Sequence, residues 1–128
     1  MDLNERIKQE KKIILDGGTG TEIQRLGGVM SSAWGALANI KSPDVVLKVH
    51  QNHIKAGCEI ITTNTFSTCR HALDAIGYGN QTSKINSEAV KLAQKAIDTA
   101  GMDRNIFIAG SMSNFFSLLE NEFRPDPK

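Results

Sequence analysis

Directly after the compact apolar run Lys12-Ile13-Ile14-Leu15, the chain reads Asp16-Gly17-Gly18-Thr19-Gly20-Thr21-Glu22. A carboxylate there can hold an amino group, and glycines beside it let backbone N–H groups approach an anion. A tight turn whose aspartate is satisfied by local amides uses the same residue types, and spacing alone does not choose between the two. Nucleotide-binding motifs, by contrast, are excluded. Counted from Gly18, the dinucleotide pattern finds its second glycine at Gly20 but its third falls on Ile23; counted from Gly17, the second already falls on Thr19. No Gly-Lys-Ser/Thr ending follows, so a P-loop fails too.

A second group is Thr62-Thr63-Asn64-Thr65-Phe66. Four polar residues in a row can hydrogen-bond a polar ligand with Phe66 as a wall, or can be satisfied by neighbouring backbone. Trp34, the single tryptophan, stands in the loop leading from the first group. It is either a core anchor or an aromatic face for a cationic ligand. His50 and His53 lie three apart, and His71 follows Cys69. No carboxylate or thiol completes a metal set around them, so they read as core or surface histidines and no metal ligand is assigned. Cys58 reads as a buried, inert thiol.

These residues need elements to place them. Residues 12–16 read as a buried strand ending in a glycine turn, and 59–64, rich in β-branched side chains, as a second. Residues 105–110 read as a third. Helices are expected at 3–9, 19–26, about 43–56, 69–76 and 83–100, with Gly27, Gly57, Gly77 and Gly101 as stops. Ser42-Pro43-Asp44 is a start signal: a cap, a first-turn proline and a charge suited to the helix dipole. In the 83–100 helix, Ile85, Ala89, Leu92, Ala93, Ala96 and Ala100 share one face, which is expected to pack against the sheet. Residues 29–40 lack a period and read as an ordered loop anchored by Trp34. The polar segment 120–128 reads as a flexible tail.

Strand, helix, strand, helix, strand implies an α/β fold with parallel strands. Ligand sites of such folds lie at the carboxyl ends of strands. Asp16 is therefore expected near Asn64, at the same end of the sheet. Three parallel strands leave two long edges, so the chain reads as an incomplete α/β domain. The bulk figures agree with a folded chain: 128 residues, 40% hydrophobic, 15 Lys and Arg against 14 Asp and Glu. A net charge of +1 gives no electrostatic reason for nucleic acid or an anionic membrane as partner. No apolar run reaches the roughly 18 residues of a membrane span, and residues 1–12 do not form a secretory signal. A cytoplasmic location and two reduced cysteines are the expectation.

Taken in order, Ile14-Leu15-Asp16-Gly17-Gly18, Thr21-Glu22, Gly27, Trp34 with Ala36, Pro43, Val49-His50, Ala56-Gly57 and 60–66 resemble the homocysteine S-methyltransferase family. Gly77 and Ala109-Gly110-Ser111 continue the likeness, which spans about residues 12–113. The resemblance implies a (β/α)8 barrel of roughly 300 residues. This chain would give its first three strands, and residues 1–128 would be the N-terminal part of the homocysteine-binding domain. It implies methyl transfer from an onium donor (S-methylmethionine, S-adenosylmethionine or betaine) to homocysteine sulfur, giving methionine. It also implies zinc, held by three cysteines late in the family's chain, which keeps the substrate thiol as a thiolate.

By the same resemblance, Asp16 holds homocysteine near its amino end and Gly17 and Gly18 give N–H groups to its carboxylate. Thr63, Asn64 and Phe66 line the pocket, and Trp34 approaches the donor. The betaine-using branch has a second aromatic where this chain has Ser67, which leaves the donor's identity open. The zinc cysteines have no counterpart in Cys58 or Cys69. The alternative is a non-catalytic amino-acid-binding or subunit fragment, joined to the remainder of the barrel or to itself through its sheet edges.

Overall fold

The computed structural model describes residues 1–113; the tail expected at 120–128 lies outside them. The chain opens with helix α1 (Leu3–Ile7), fixed by a reciprocal cap between Asp2 and Glu5. The Arg6 guanidinium pairs with Glu59 at 2.7 Å and so ties α1 to the chain just ahead of the next strand. Helix α2 (Thr19–Arg25) follows the Asp16-Gly17-Gly18 turn and stops at Gly27, which takes φ +82°. One helical turn, α3 (Ala38–Lys41), interrupts the loop, and α4 (Pro43–Ala56) begins with Pro43 in its first turn. Ser42 does not cap α4 as expected. Its hydroxyl oxygen accepts instead from the Val29 N–H at 3.0 Å, which binds the loop to the start of the helix. Gly57 ends α4 at φ +110°, a left-handed value that favours glycine.

Strand β1 (Ile60–Thr62) pairs in parallel with β2 (Phe107–Ala109), with Ile60 opposite Phe107 and Thr62 opposite Ala109. Between them come α5 (Arg70–Asp74), a 3-10 turn (Gly79–Gln81) and the long helix α6 (Thr82–Thr99). The fold is thus α/β with a two-stranded parallel sheet among the described residues. The first expected strand appears only as a parallel bridge between Leu15 and Ile60. Its Ile14 carbonyl accepts from Glu59 N–H at 2.7 Å and its Asp16 N–H donates to Ile60 O at 3.0 Å. It is not buried either: Ile14 and Leu15 are 57% and 63% exposed. Apolar side chains at the margin of a sheet stay wet unless an element lies over them. The other strands are also shorter than read, because the chain turns just past Thr63, where Thr65 N–H donates back to Thr63 O at 2.8 Å.

The expected face of α6 is buried at Ile85, Ala89, Leu92, Ala93 and Ala96, while Lys84 and Lys95 are exposed. Only its carboxyl half meets the sheet. Ala93 and Ala96 join Ile61 of β1 together with Ile54 and Cys58. Leu92 packs instead with Ile23, Val46 and Val49, and Ile85 with Leu73 and the loop residues Ala33, Ala36 and Leu37. A helix crossing a three-residue strand outruns it, so the rest of its face goes to other helices and the loop. No helix among the described residues is long and apolar enough to cross a membrane.

Candidate functional site

Asp16 stands where segment 14–16 leaves the sheet, half-buried beside the end of β1. One carboxylate oxygen accepts from the Thr62 N–H at 2.6 Å and the other from the Thr62 hydroxyl at 2.9 Å. Two donors on one neighbour fix the plane of the carboxylate, and each oxygen keeps a lone pair for a further donor. Asp16 and Asn64 therefore lie at the same end of the sheet, as expected, linked through Thr62. Thr62 was read only as part of a polar run; its role as the aspartate's clamp had no signal in the sequence.

Gly17 and Gly18 are both exposed, and Gly18 is the residue preceding α2. A side chain at Gly18 would bring its first carbon within 2.8 Å of the Thr21 hydroxyl, which would have to rotate away. At Gly17 the nearest atom to such a carbon would be His53 Nε2, at 3.4 Å.

Above the carboxyl ends of the strands lies a cavity of about 230 Å³, walled by Thr62, Thr63, Asn64, Ser111 and the rings of Trp34 and Phe66. The two rings stack with centroids 5.6 Å apart and planes 4° from parallel. Trp34 is 46% exposed and does not anchor the core as expected; Ala33, Ala36, Leu37 and Ala38 fill that role in the loop. Small side chains pack into the core there and leave the indole at the cavity wall. Trp34 also carries φ +50°, a left-handed value that costs a non-glycine residue about 1–2 kcal/mol.

Thr63 and Asn64 reach the cavity wall, with the Thr63 hydroxyl and the Asn64 amide N–H groups engaged within the protein. Ser111 N–H donates to the Thr63 hydroxyl at 3.2 Å. The Thr63 and Thr65 hydroxyls lie 2.8 Å apart, and Thr65 donates to Ser111 O at 2.7 Å. This closed chain joins the ends of β1 and β2. The Asn64 amide gives its hydrogens to Gly35 O and Asn39 Oδ1, each at 2.9 Å. Asn39, 1% exposed, was not singled out by sequence; the one signal was an amide in the apolar stretch 36–40.

The histidines do not form a metal centre. His50 is fully buried with neither ring nitrogen hydrogen-bonded. Burial lowers its pKa to about 4 against the opposing pull of Asp16, so the ring is neutral at pH 7. His71 Nε2 lies 3.5 Å from Cys69 Sγ on the exposed start of α5. Cys58 is buried as expected, and burial pushes its thiol pKa up. Among the described residues no group of three His, Cys, Asp or Glu side chains could hold a metal ion. The residues present therefore do not fit zinc, and no step is assigned to one.

A larger cavity, about 540 Å³, opens near the start of β2 and includes Arg6, Glu59 and Arg104. Its guanidinium groups are spoken for: Arg6 by Glu59, and Arg104 by the carbonyls of Ile54 and Cys58. The smaller cavity is the better candidate: the aromatic pair walls it, and although Asp16, Gly17 and Gly18 do not line it, Thr62, which clamps the Asp16 carboxylate, does.

Parallel strands with a carboxylate, a glycine turn and an aromatic wall at their carboxyl ends mark an α/β protein, and that end of the sheet is where such folds place their ligand sites. The family model for homocysteine S-methyltransferase matches residues 13–127, and the chain belongs to that family. It is 26% identical over 98 residues to homocysteine S-methyltransferase 2 of Zea mays, covering 76% of this chain and 27% of the relative. Homocysteine S-methyltransferase 3 of Zea mays is 28% identical over 87 residues, covering 66% of this chain and 26% of the relative. The chain thus spans about a quarter of the length of these relatives. The metallated form of the homocysteine methyltransferase MmuM from Escherichia coli superposes with a TM-score of 0.73 at 24% identity. That match covers 91% of this chain and 43% of the other, and shows a shared fold.

Proposed function

We propose that this chain forms the amino-acid and donor end of a homocysteine methyltransferase site, built on the first three strands of a (β/α)8 barrel. The carrying observation is the Asp16 carboxylate, held at 2.6 and 2.9 Å by Thr62, a residue that itself lines the cavity walled by Trp34 and Phe66. In this reading Asp16 accepts the ammonium group of homocysteine and the backbone N–H groups of Gly17 and Gly18 take its carboxylate. The aromatic pair faces the onium donor, whose cation is attracted to ring faces. Transfer joins the donor's methyl carbon to homocysteine sulfur, breaks the methyl–onium bond and releases the neutral donor remnant. The sulfur must lose its proton, and no group among the described residues is placed to hold it as a thiolate.

That last point favours a second reading, a non-catalytic amino-acid-binding chain. Titration calorimetry with homocysteine tests the binding step that both readings share. We expect Asp16→Asn to weaken binding roughly tenfold or more, the worth of a charge-assisted hydrogen bond. The analogue 4-mercaptobutanoate, which lacks the amino group, should bind wild type and variant alike. Equal homocysteine affinity in wild type and Asp16→Asn would sink the assignment of Asp16. Methionine formation once the remainder of a barrel is supplied to the chain would separate the two readings.

A further inference from the structure

Trp34 is gripped from three sides by one short segment. Ser67, itself 6% exposed, donates its hydroxyl to Ala33 O at 2.7 Å. Asn64 donates to Gly35 O at 2.9 Å. Phe66, between them, stacks on the indole. The carbonyls before and after Trp34 are thus both fixed by the segment that follows β1, and the left-handed backbone of Trp34 lies between the two fixed points. Asn39 completes the arrangement from behind. Its Oδ1 accepts the second hydrogen of the Asn64 amide at 2.9 Å, and its own amide donates to Asn64 O at 2.9 Å. Such a reciprocal pair leaves Asn64 one orientation. A strained backbone persists only where its surroundings over-determine it; here the paired bonds of Trp34 N–H and C=O with Ser31, at 2.8 and 2.9 Å, are joined by the two hydrogen bonds and the ring stack from the segment after β1.

We infer that Asn39 and Ser67 are positioning residues of the donor side: through Asn64 and the Ala33 carbonyl they hold the Trp34 indole against Phe66 as a flat aromatic wall. The inference rests on the donor reading above. Asn39 does not line the cavity; Ser67 does, but its hydroxyl is turned to the Ala33 carbonyl. Phe66, next to Ser67 in the chain, supplies the second ring of the wall. With centroids 5.6 Å apart and planes nearly parallel, the rings leave no gap for a cation between them. The donor therefore meets an aromatic wall rather than a sandwich.

The single tryptophan makes the test direct, because all indole emission comes from Trp34. The full chain, wild type and as Ser67→Ala, Ser67→Thr and Asn39→Ala, is compared by acrylamide quenching, thermal midpoint and titration with S-methylmethionine and tetramethylammonium. We expect Ser67→Ala and Asn39→Ala to raise the quenching constant and to weaken each cation roughly fivefold, the net worth of one hydrogen bond. Homocysteine affinity should stay put, and Ser67→Thr, which keeps the hydroxyl, should restore the wild-type values. A residue serving stability alone would lower the midpoint and leave quenching and cation affinity unchanged below it; that result overturns the inference. If wild type binds neither cation while quenching still rises in the variants, the donor reading falls and the clamp on Trp34 stands.

Discussion

His50 shows how a single residue can set the molecule's response to acid. It is fully buried, and the charged group acting on it most strongly is Asp16, with His53 opposing. Its pKa falls from 6.5 to about 4 on folding, so between those values the unfolded chain binds a proton that the folded chain refuses. Stability must then drop as pH falls through that window, with about 2 kcal/mol lost between pH 7 and pH 5. Glu22 and Glu59, whose pKa values are lowered mainly by hydrogen bonds from Arg25 and Arg6, act only at lower pH, below the usual glutamate range. Urea midpoints at the two pH values, for wild type and His50→Leu, check this. The slope should largely vanish in the variant, and an unchanged slope would mean that the proton is taken up elsewhere. At this scale the sequence was readable where the signal is local. Asp16-Gly17-Gly18 after an apolar run marks a turn at a strand end wherever it occurs. The contacts that assign work to individual groups join distant positions: Asp16 to Thr62 across 46 residues, Asn39 to Asn64 across 25. No local pattern encodes these, which is why the internal bonds of the Thr63 hydroxyl and the Asn64 amide N–H groups could not be read beside their place on the cavity wall.

At the scale of elements, helices were legible and strands less so. Helix ends carry chemical marks, such as Pro43 at the start of α4 and Gly57 at its left-handed stop, and both fall where the sequence put them. A strand's length depends on its neighbours' hydrogen bonds, so residues 59–64 yield only three paired positions and residues 12–16 a single bridge. The face of α6 was legible from its period, but its partner was not. Ala93 lies fully buried in one cluster with Ile54 and Ile61. Ala93→Leu should therefore cost about 1–3 kcal/mol by overpacking. Val90, on the same helix but 50% exposed, offers the contrast. Val90→Ala should raise stability by a few tenths of a kcal/mol (roughly), through helix propensity alone. Chemical denaturation of both variants decides the matter: similar, small effects would mean that α6 is not pressed against α4 and β1 as described.

For the whole molecule, the family and the fold agree, and chemistry now sets the limit. The family model runs over residues 13–127, and the fold superposes on 43% of a homocysteine methyltransferase of known structure. The resemblance implies zinc on three cysteine thiolates, and this sequence has two cysteines. One of them, Cys58, is buried with its thiol pKa raised, which opposes the thiolate form a metal needs. The other, Cys69, lies beside His71 on α5. A thiol substrate with an ordinary pKa of about 8.5 is mostly protonated at pH 7, and the described residues include no group that would change this. The 128-residue chain alone is therefore expected to form no methionine from homocysteine and S-methylmethionine, S-adenosylmethionine or betaine, with or without added zinc. Homocysteine binding should nevertheless survive, because Asp16 and the glycine turn do not depend on the metal. The measurement is methionine produced by purified chain, alongside zinc content per chain by elemental analysis. Turnover near that of a full-length relative, with one zinc per chain, would show that the metal sits on ligands given no such role here. The histidines and Cys69 would then be the groups to substitute first.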